Sequence, residues 1–596
     1  MGRYGKYSAL QLLGSLLPLS GIVGADDKPI PNVPAEPEGV KTITSPSGVK
    51  IRYKEPGLCE TTPGVNSYSG YVDIDEATHI FFWFFEARHD PANAPVTLWL
   101  NGGPGSDSLL GLFQELGPCN VTEDLKTQLN PYAWNEASNM LFISQPVGVG
   151  FSYSDTVLGS RDENTTQVRN ETFDGVKGRF GITNKQDPIG TTDAAAVTVW
   201  DVVQAFYSAL PQLDSEIKSR SFNLWTESYG GHYGPSFFKY FRDQNNLIAN
   251  GSTKGVQLDF NTLGIINGVI DAEIQIPFFP EFAANNTYGI NPLNDTMLEY
   301  MRYSLTRPEG CMEQISWCKA CKRTDIIAFD ICAEALAVCR STVEGVWYQS
   351  SGRGTYDIRH PTEDPTPPNN FIPYLNQSTT QNTLGVNLNY TIPYDPFLWA
   401  AFARTGDWLW PDFIQYLSEL LDLPVRVALI YGDADYIVNW FGGEAVSLAV
   451  NYSRAEGFRG AGYAPFVVDG GGEGGNKEYG VTREFGNFSF TRVYDAGHMV
   501  PYYQPLASLA LFNRSITGMD MATGKVKIDG NYRTEGPMTS NHTQPYVPLP
   551  GEDVKNRKKK SAAGRVVVPF IGYGYGFGWV SVVLGLVGVV GLGLGV

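Results

Sequence analysis

The sequence predicts an α/β fold built on a mostly parallel central sheet, on three observations. Short apolar runs that read as buried strands alternate with helix-length segments. Several of these runs end in Gly-rich or Pro-Gly loops. Aromatic residues make up 13% of the 596-residue chain and charged residues only 18%, the composition of a globular protein rather than a disordered one. Alternation of this kind implies crossover helices and a ligand site beyond the strands' carboxyl ends.

The elements follow in order. Residues 1–25 carry Arg3 and Lys6, an apolar stretch from Ala9 to Val23, and a small-residue end at Ala25, which together read as a secretory signal. Residues 26–66 are Pro-rich and irregular before turning extended. Tyr68 to Asp73 and His79 to Phe85 read as aromatic strands joined by an acidic turn, and Val96 to Leu100 and Met140 to Ile143 as buried ones. Thr191 to Leu210 is a helix with Thr191 or Thr192 as its cap; Val199, Val202, Val203, Phe206 and Leu210 share one face. The first part of the core is thus 26–271. Residues 272–395 change character, with clustered Cys, the Pro-rich stretch Pro361 to Pro373 and few strand-like runs, and read as an inserted cap. The core resumes over 396–517 with strands at Val425 to Tyr431 and Phe490 to Tyr494. A polar stalk is expected over 518–560.

The chemistry gathers at three strand ends. An apolar strand ends at Trp225, and Ser228 follows in Glu227-Ser-Tyr-Gly-Gly231 before a helix-permissive segment, the context of a nucleophile elbow. A serine hydroxyl needs a base. His498, one of six histidines, lies just past the strand Phe490 to Tyr494. Asp433 and Asp435 follow the strand ending at Tyr431, and either can orient that imidazole. Each residue alone has an ordinary reading as a loop serine, a core imidazole or a turn acid. The chain order Ser, Asp, His is that of the α/β hydrolases, and the constellation carries the argument.

A formal charge of −18 argues against nucleic-acid partners. The N-x-[ST] pattern occurs at Asn120, Asn164, Asn170, Asn250, Asn285, Asn294, Asn376, Asn389, Asn451, Asn487, Asn513 and Asn541, in keeping with secretion. After the basic cluster Arg557 to Lys560, the small residues from Ser561, a spacer and an apolar tail to Val596 fit a GPI-attachment signal over 561–596. A transmembrane anchor is the rival, opposed by the positive-inside bias. Localisation at the cell surface, with membrane contact through the lipid, is expected. Seven cysteines suggest three disulfides and one leftover. Equal six-residue gaps point to nested bridges Cys311–Cys339 and Cys318–Cys332; Cys59–Cys119 is then the third, leaving Cys321. Cys318-x-x-Cys321 admits a zinc reading but lacks nearby His partners, and no metal or other cofactor is expected.

Trp99-Leu-Asn-Gly-Gly-Pro-Gly105, Gln145-Pro-Val-Gly-Val-Gly-Phe-Ser-Tyr153, Glu227-Ser-Tyr-Gly-Gly231, Gly432-Asp-Ala-Asp435 and Gly497-His-Met-Val-Pro501 closely resemble the secreted serine carboxypeptidases, especially the fungal branch. That resemblance implies a triad of Ser228, Asp435 and His498, oxyanion donors at the N–H groups of Gly103 and Tyr229, and peptide C-termini as substrates. It implies substrate-carboxylate recognition by Asn101, the Gly102 N–H, Glu115 and Glu227, with Trp99 and Met499 lining that end. An exopeptidase must hold a free carboxylate without strong cations. Two close carboxyls cannot both ionise cheaply, so a retained proton on Glu115 or Glu227 can donate to it, which implies activity at acid pH. Two departures stand out. The family's Cys-Ser-Ser is Ser106-Asp107-Ser108 here, and Ser144 replaces an Asp. Asp107 then adds a carboxylate near the recognition loop, and a bias toward basic side chains near the scissile bond is expected. An acyltransferase on the same triad and an inactive hydrolase-like surface protein are the alternatives.

Overall fold

Val96–Leu100, Asn139–Ile143 and Arg426–Gly432 are buried at every residue, as strands covered on both faces must be. They belong to a twelve-stranded sheet in a computed structural model that describes residues 33–552, apart from 163–167, 170–173, 184–188, 323–325, 365, 392–394 and 471–474. The strands are β1 (Lys41–Thr44), β2 (Lys50–Lys54), β3 (Ser67–Asp75), β4 (Thr78–Phe85), β5 (Val96–Leu100), β6 (Asn139–Ile143), β7 (Ser221–Glu227), β8 (Asp259–Ile266), β9 (Arg426–Gly432), β10 (Ala464–Val468), β11 (Lys477–Phe485) and β12 (Phe488–Val493). Their spatial order is β1-β2-β3-β4-β6-β5-β7-β8-β9-β12-β11-β10. The contiguous centre from β6 to β12 is parallel, and antiparallel strands flank it on both sides. The helices Thr192–Leu213 and Gly230–Ala249 supply the apolar faces of Val199, Val203, Phe206, Phe237 and Phe241 to one core; Trp99, Trp134, Trp225 and Phe512 anchor the other.

The sequence reading passes over β8. Its polar start reads as loop, and Gly264 breaks the apolar run; a Cβ there would stand 2.2 Å from the Trp225 ring, so the position must be glycine. Residues 26–66, expected to be irregular before turning extended, contain β1 and β2. Lys50–Lys54 alternates charged residues with the buried Ile51 and Tyr53, as an outer strand does. Among the described residues the chain between β8 and β9 adds no strand to the sheet, and it includes the helices Asp295–Thr306, Cys311–Ala320 and Ile326–Cys339. Disulfides Cys311–Cys339 and Cys318–Cys332 clamp the last two together, and Cys59–Cys119 closes the third bridge; Cys321 is a partly exposed free thiol. Cys318 is therefore not half of a thiolate pair.

The expected stalk is a correction. As far as Leu549 the chain belongs to the same compact unit as the sheet, with Met521 buried, Arg514 Nη1 donating to the carbonyls of Met521 and Ala522, and Thr534 Oγ1 donating to Gly462 O. Its polar groups satisfy the sheet's last strands instead of water. Three glycosylation candidates also need correction. Asn389 is buried and accepts from Arg179 N, the Asn376 Nδ2 donates to Ile372 O and Tyr390 O, and the Asn487 Nδ2 donates to three carbonyls of Leu421, Leu423 and Val425. A glycan on Asn376 or Asn487 would take an Nδ2 hydrogen from bonds that close the fold, and one on Asn389 would have to enter a buried position. Asn120, Asn250, Asn285, Asn294, Asn451, Asn513 and Asn541 are exposed. Asn164, Asn170, the segment 1–25 and the attachment signal with Ser561 lie outside the described residues. Among the described residues no helix is long and apolar enough to cross a membrane.

Candidate active site

Strand β7 runs parallel to β5 and β8 and delivers Ser228 one residue beyond its end. The Ser228 N–H donates to Ile266 O (3.0 Å), and its carbonyl accepts from Gly231 N and Val269 N (both 2.9 Å). Those bonds hold a non-glycine residue at φ 63°, the strained left-handed conformation that turns a side chain out of a strand. The turn tolerates no bulk beside it: a Cβ on Gly231 would lie 2.2 Å from Val269 O. Thr226 stiffens it from below by donating to Gly230 O at 2.8 Å.

His498 Nδ1 donates to Asp435 Oδ2 at 2.7 Å, a direction fixed because an ionised carboxylate only accepts. The tautomer leaves Nε2 as the free base. Asp435 is fully buried, and Asn267 Nδ2 donates to the same oxygen at 2.8 Å. Asp433 points elsewhere: Tyr288 Oη donates to it at 2.6 Å, Arg492 lies at 3.6 Å, and burial pushes its pKa up to about 6. The choice left open by the sequence falls to Asp435. From the inserted region, the Tyr356 carbonyl accepts the His498 N–H (2.8 Å), and its half-exposed ring stands edge-on to the imidazole at 5.0 Å.

Gly102 and Gly103 bring a second backbone against the elbow. A Cβ on Gly102 would lie 2.4 Å from Tyr229 N, and Gly103 sits at φ 106°, so neither position accepts a side chain. Among the described residues the N–H groups of Gly103 and Tyr229 donate no hydrogen bond. Two convergent donors beside a nucleophile suit a developing oxyanion. The Tyr229 phenol donates to the buried Asp407, to which Thr192 Oγ1 also donates, and so anchors the residue that carries one of the donors.

Asn101 organises the acidic couple. Its Oδ1 accepts from Trp99 Nε1 (2.8 Å) and Gly111 N (3.0 Å), which turns Nδ2 toward Glu115 (3.3 Å) and Glu227 (3.2 Å). Trp99 is thus fully buried behind Asn101. Glu115, in the wide turn Leu112–Leu116, and Glu227 are both buried and hydrogen-bond each other. Burial raises the Glu115 pKa against the bonds from Glu227 and Asn101. Burial first and the Glu115 charge second push Glu227 well above the ordinary range. The second oxygen of each finds no donor on any other residue, so a proton held between the carboxyls satisfies them both. Met499 is partly exposed next to His498 and starts the short helix Val500–Tyr503.

Asp107 does not face substrate. It is fully buried, accepts from Tyr390 Oη (2.6 Å) and Ser144 Oγ (2.8 Å), and burial pushes its pKa up to about 6. The two departures from the family pattern therefore meet, Ser144 Oγ donating to the Asp107 carboxylate. Sequence reasoning misses Asn267, Tyr356 and Asp407. The only signal was an Asn one residue past a strand, and Asp407 and Tyr356 had none.

The serine carboxypeptidase family model matches residues 56–518. Carboxypeptidase S1 homolog A of Arthroderma otae is 39% identical over 90% of this chain and 86% of its own length. Carboxypeptidase S1 of Penicillium janthinellum is 37% identical over 78% of this chain and 98% of its own. Among solved structures, Kex1Δp, a prohormone-processing carboxypeptidase from Saccharomyces cerevisiae, superposes with a TM-score of 0.57 at 20% identity, covering 79% of this chain and 96% of that one, which supports the α/β-hydrolase fold. The chain belongs to the serine carboxypeptidase family.

Proposed function

We propose that this serine-type carboxypeptidase releases C-terminal residues from peptides in mild acid, through an acyl-enzyme on Ser228. The observation that carries the acid-pH reading is the buried carboxyl couple Glu115–Glu227 gathered on Asn101 Nδ2, whose second member immediately precedes Ser228. The protonated carboxyl, Asn101 Nδ2 and the Gly102 N–H donate to the substrate's terminal carboxylate, a set that needs no cation. Ser228 Oγ attacks the scissile carbonyl as His498 Nε2 takes its proton; Gly103 and Tyr229 N–H groups bind the oxyanion. Collapse expels the C-terminal amino acid with the proton from His498. Water, deprotonated by the same nitrogen, then frees the acyl chain and restores Ser228. Incubating a peptide library at several pH values and measuring free amino acids tests this, together with fluorophosphonate labelling of Ser228. Release only of internal fragments, or none in acid, overturns it.

We also infer secretion and GPI anchorage at Ser561. Three disulfides and the exposed sequons support an oxidising route. Release of the protein from cells by a phosphatidylinositol-specific phospholipase is the expected result; retention after that treatment counts against the lipid.

A further inference from the structure

The segment after residue 518 lies beyond the match to the family, yet part of it lies against the loops that carry the acid and the base. Residues 538–547 run as an extended strap. Arg483 Nη2 holds it at Met538 O (2.6 Å). Arg492, at the end of β12, then donates through Nη1 to Ser540 O and Oγ (3.2 and 2.7 Å), and through Nη2 to His542 O (2.9 Å). The His542 ring lies flat on Tyr494 at 3.6 Å, and Gln544 donates to Thr287 O (2.7 Å) and Asp495 Oδ2 (3.2 Å). Finally Arg353 donates to Val547 O (2.9 Å) and Tyr546 Oη (2.7 Å).

Each of these partners leads to the triad. Tyr494 and Asp495 begin the loop that ends at His498. Arg492 and Thr287 both meet Asp433, two residues before Asp435: Arg492 at 3.6 Å from its carboxylate, Thr287 Oγ1 at 3.3 Å from its carbonyl. Arg353 opens the loop whose Thr355 carbonyl accepts from Tyr436 N (3.0 Å), next to the acid, and whose Tyr356 carbonyl accepts from the base's own N–H (2.8 Å). Three separate chain segments thus share one tether: the loop that carries the base, the loop at Arg353 that bonds the base's N–H, and the segment at Thr287 that meets Asp433 two residues before the acid.

We propose that residues 538–547 are a positioning element for the Asp435–His498 pair, fixing the imidazole relative to Ser228 through Arg492, Tyr494 and Arg353. The proposal rests on the catalytic roles assigned above to Asp435 and His498. The strap acts through the loops it ties, and small misplacement of a general base is expensive in rate.

The test uses the full chain carrying His542→Ala, Gln544→Ala and Tyr546→Ala together, which loosens the strap while leaving Arg492, Arg353 and the triad in place. We expect kcat on a peptide substrate and the rate of fluorophosphonate labelling to fall together by about tenfold, with KM within about twofold of wild type. The amides of His498 and Tyr436 should exchange with solvent faster. His542→Phe alone, which keeps a flat ring on Tyr494, should behave as wild type. Unchanged kcat and labelling while the 538–547 amides exchange freely would overturn the proposal. So would a lower melting temperature with wild-type kcat per titrated site, because that marks a purely structural role. Should the wild type neither label nor hydrolyse, the catalytic reading fails instead, and exchange at His498 and Tyr436 still reports whether the strap holds those loops.

Discussion

Replacing Glu227 by Gln isolates the proton that the acidic couple is proposed to hold. In the wild type the raised pKa of each carboxyl means that the couple keeps a proton above the ordinary glutamate range, and loses it as pH climbs through the raised value. Below that transition one carboxyl donates to the substrate's carboxylate. Above it two anions face a third, so binding weakens with rising pH and KM increases. A hydrogen bond to a charged group contributes about 1.5–3 kcal/mol, equivalent to roughly 10- to 150-fold in KM. An amide donates in the same place at every pH. Glu227→Gln should therefore match wild-type KM in acid to within a few-fold and lack most of the alkaline rise, whereas Glu227→Ala should lose the donor throughout and raise KM by about 10-fold or more. The assay is kcat and KM for an N-blocked dipeptide from acid to alkaline pH, with the corresponding methyl ester as a substrate that carries no terminal carboxylate. The ester's KM should be almost flat with pH. Parallel KM profiles for wild type and Glu227→Gln, or for peptide and ester, would refute the reasoning.

Asp435→Asn should lower kcat by about 10⁴-fold because the amide can hold the wrong tautomer, while Asp433→Asn should leave kcat within about tenfold; steady-state kinetics on both variants decides. Asp107→Asn should not change the relative rates on peptides ending in Arg and Leu, since its carboxylate is spent on Tyr390 and Ser144. Its pKa of about 6 lies above the usual 3.8, so the folded state holds the proton more tightly than the unfolded chain. That contribution is full below the unfolded value and is lost as pH rises to the folded one. The stability slope between these values, worth about 3 kcal/mol in total, should vanish in Asp107→Asn melting curves measured across that range. Cys318→Ser with Cys332→Ser opens a loop of 14 residues and should cost about 3 kcal/mol in denaturant unfolding under oxidising conditions.

The residues proposed as catalytic were legible because their chemistry is written in short runs. Ser228 needs small residues just behind it, and Gly102 and Gly103 need bare backbone, so the letters record the geometry. The cysteine spacing likewise carried the correct nested pairing. What lay hidden was whatever depends on a distant partner. Asp407 looks like any turn acid until Tyr229 and Thr192 close on it, and Gly264 looks like a strand breaker until the Trp225 ring lies across it. The strap failed for a related reason: polar, Pro-containing sequence reads the same whether it is solvated or saturating buried arginines.

The proposed nucleophile, acid and base stand at the ends of β7, β9 and β12, strands that neighbour one another through β8 but lie some 270 residues apart in the chain, from Ser228 to His498. Synthesis therefore delivers the alcohol long before its base. A growing chain, or one nicked and released before β12 docks, holds a serine with no partner to activate it, and the cell is spared a working peptidase until the whole sheet has closed.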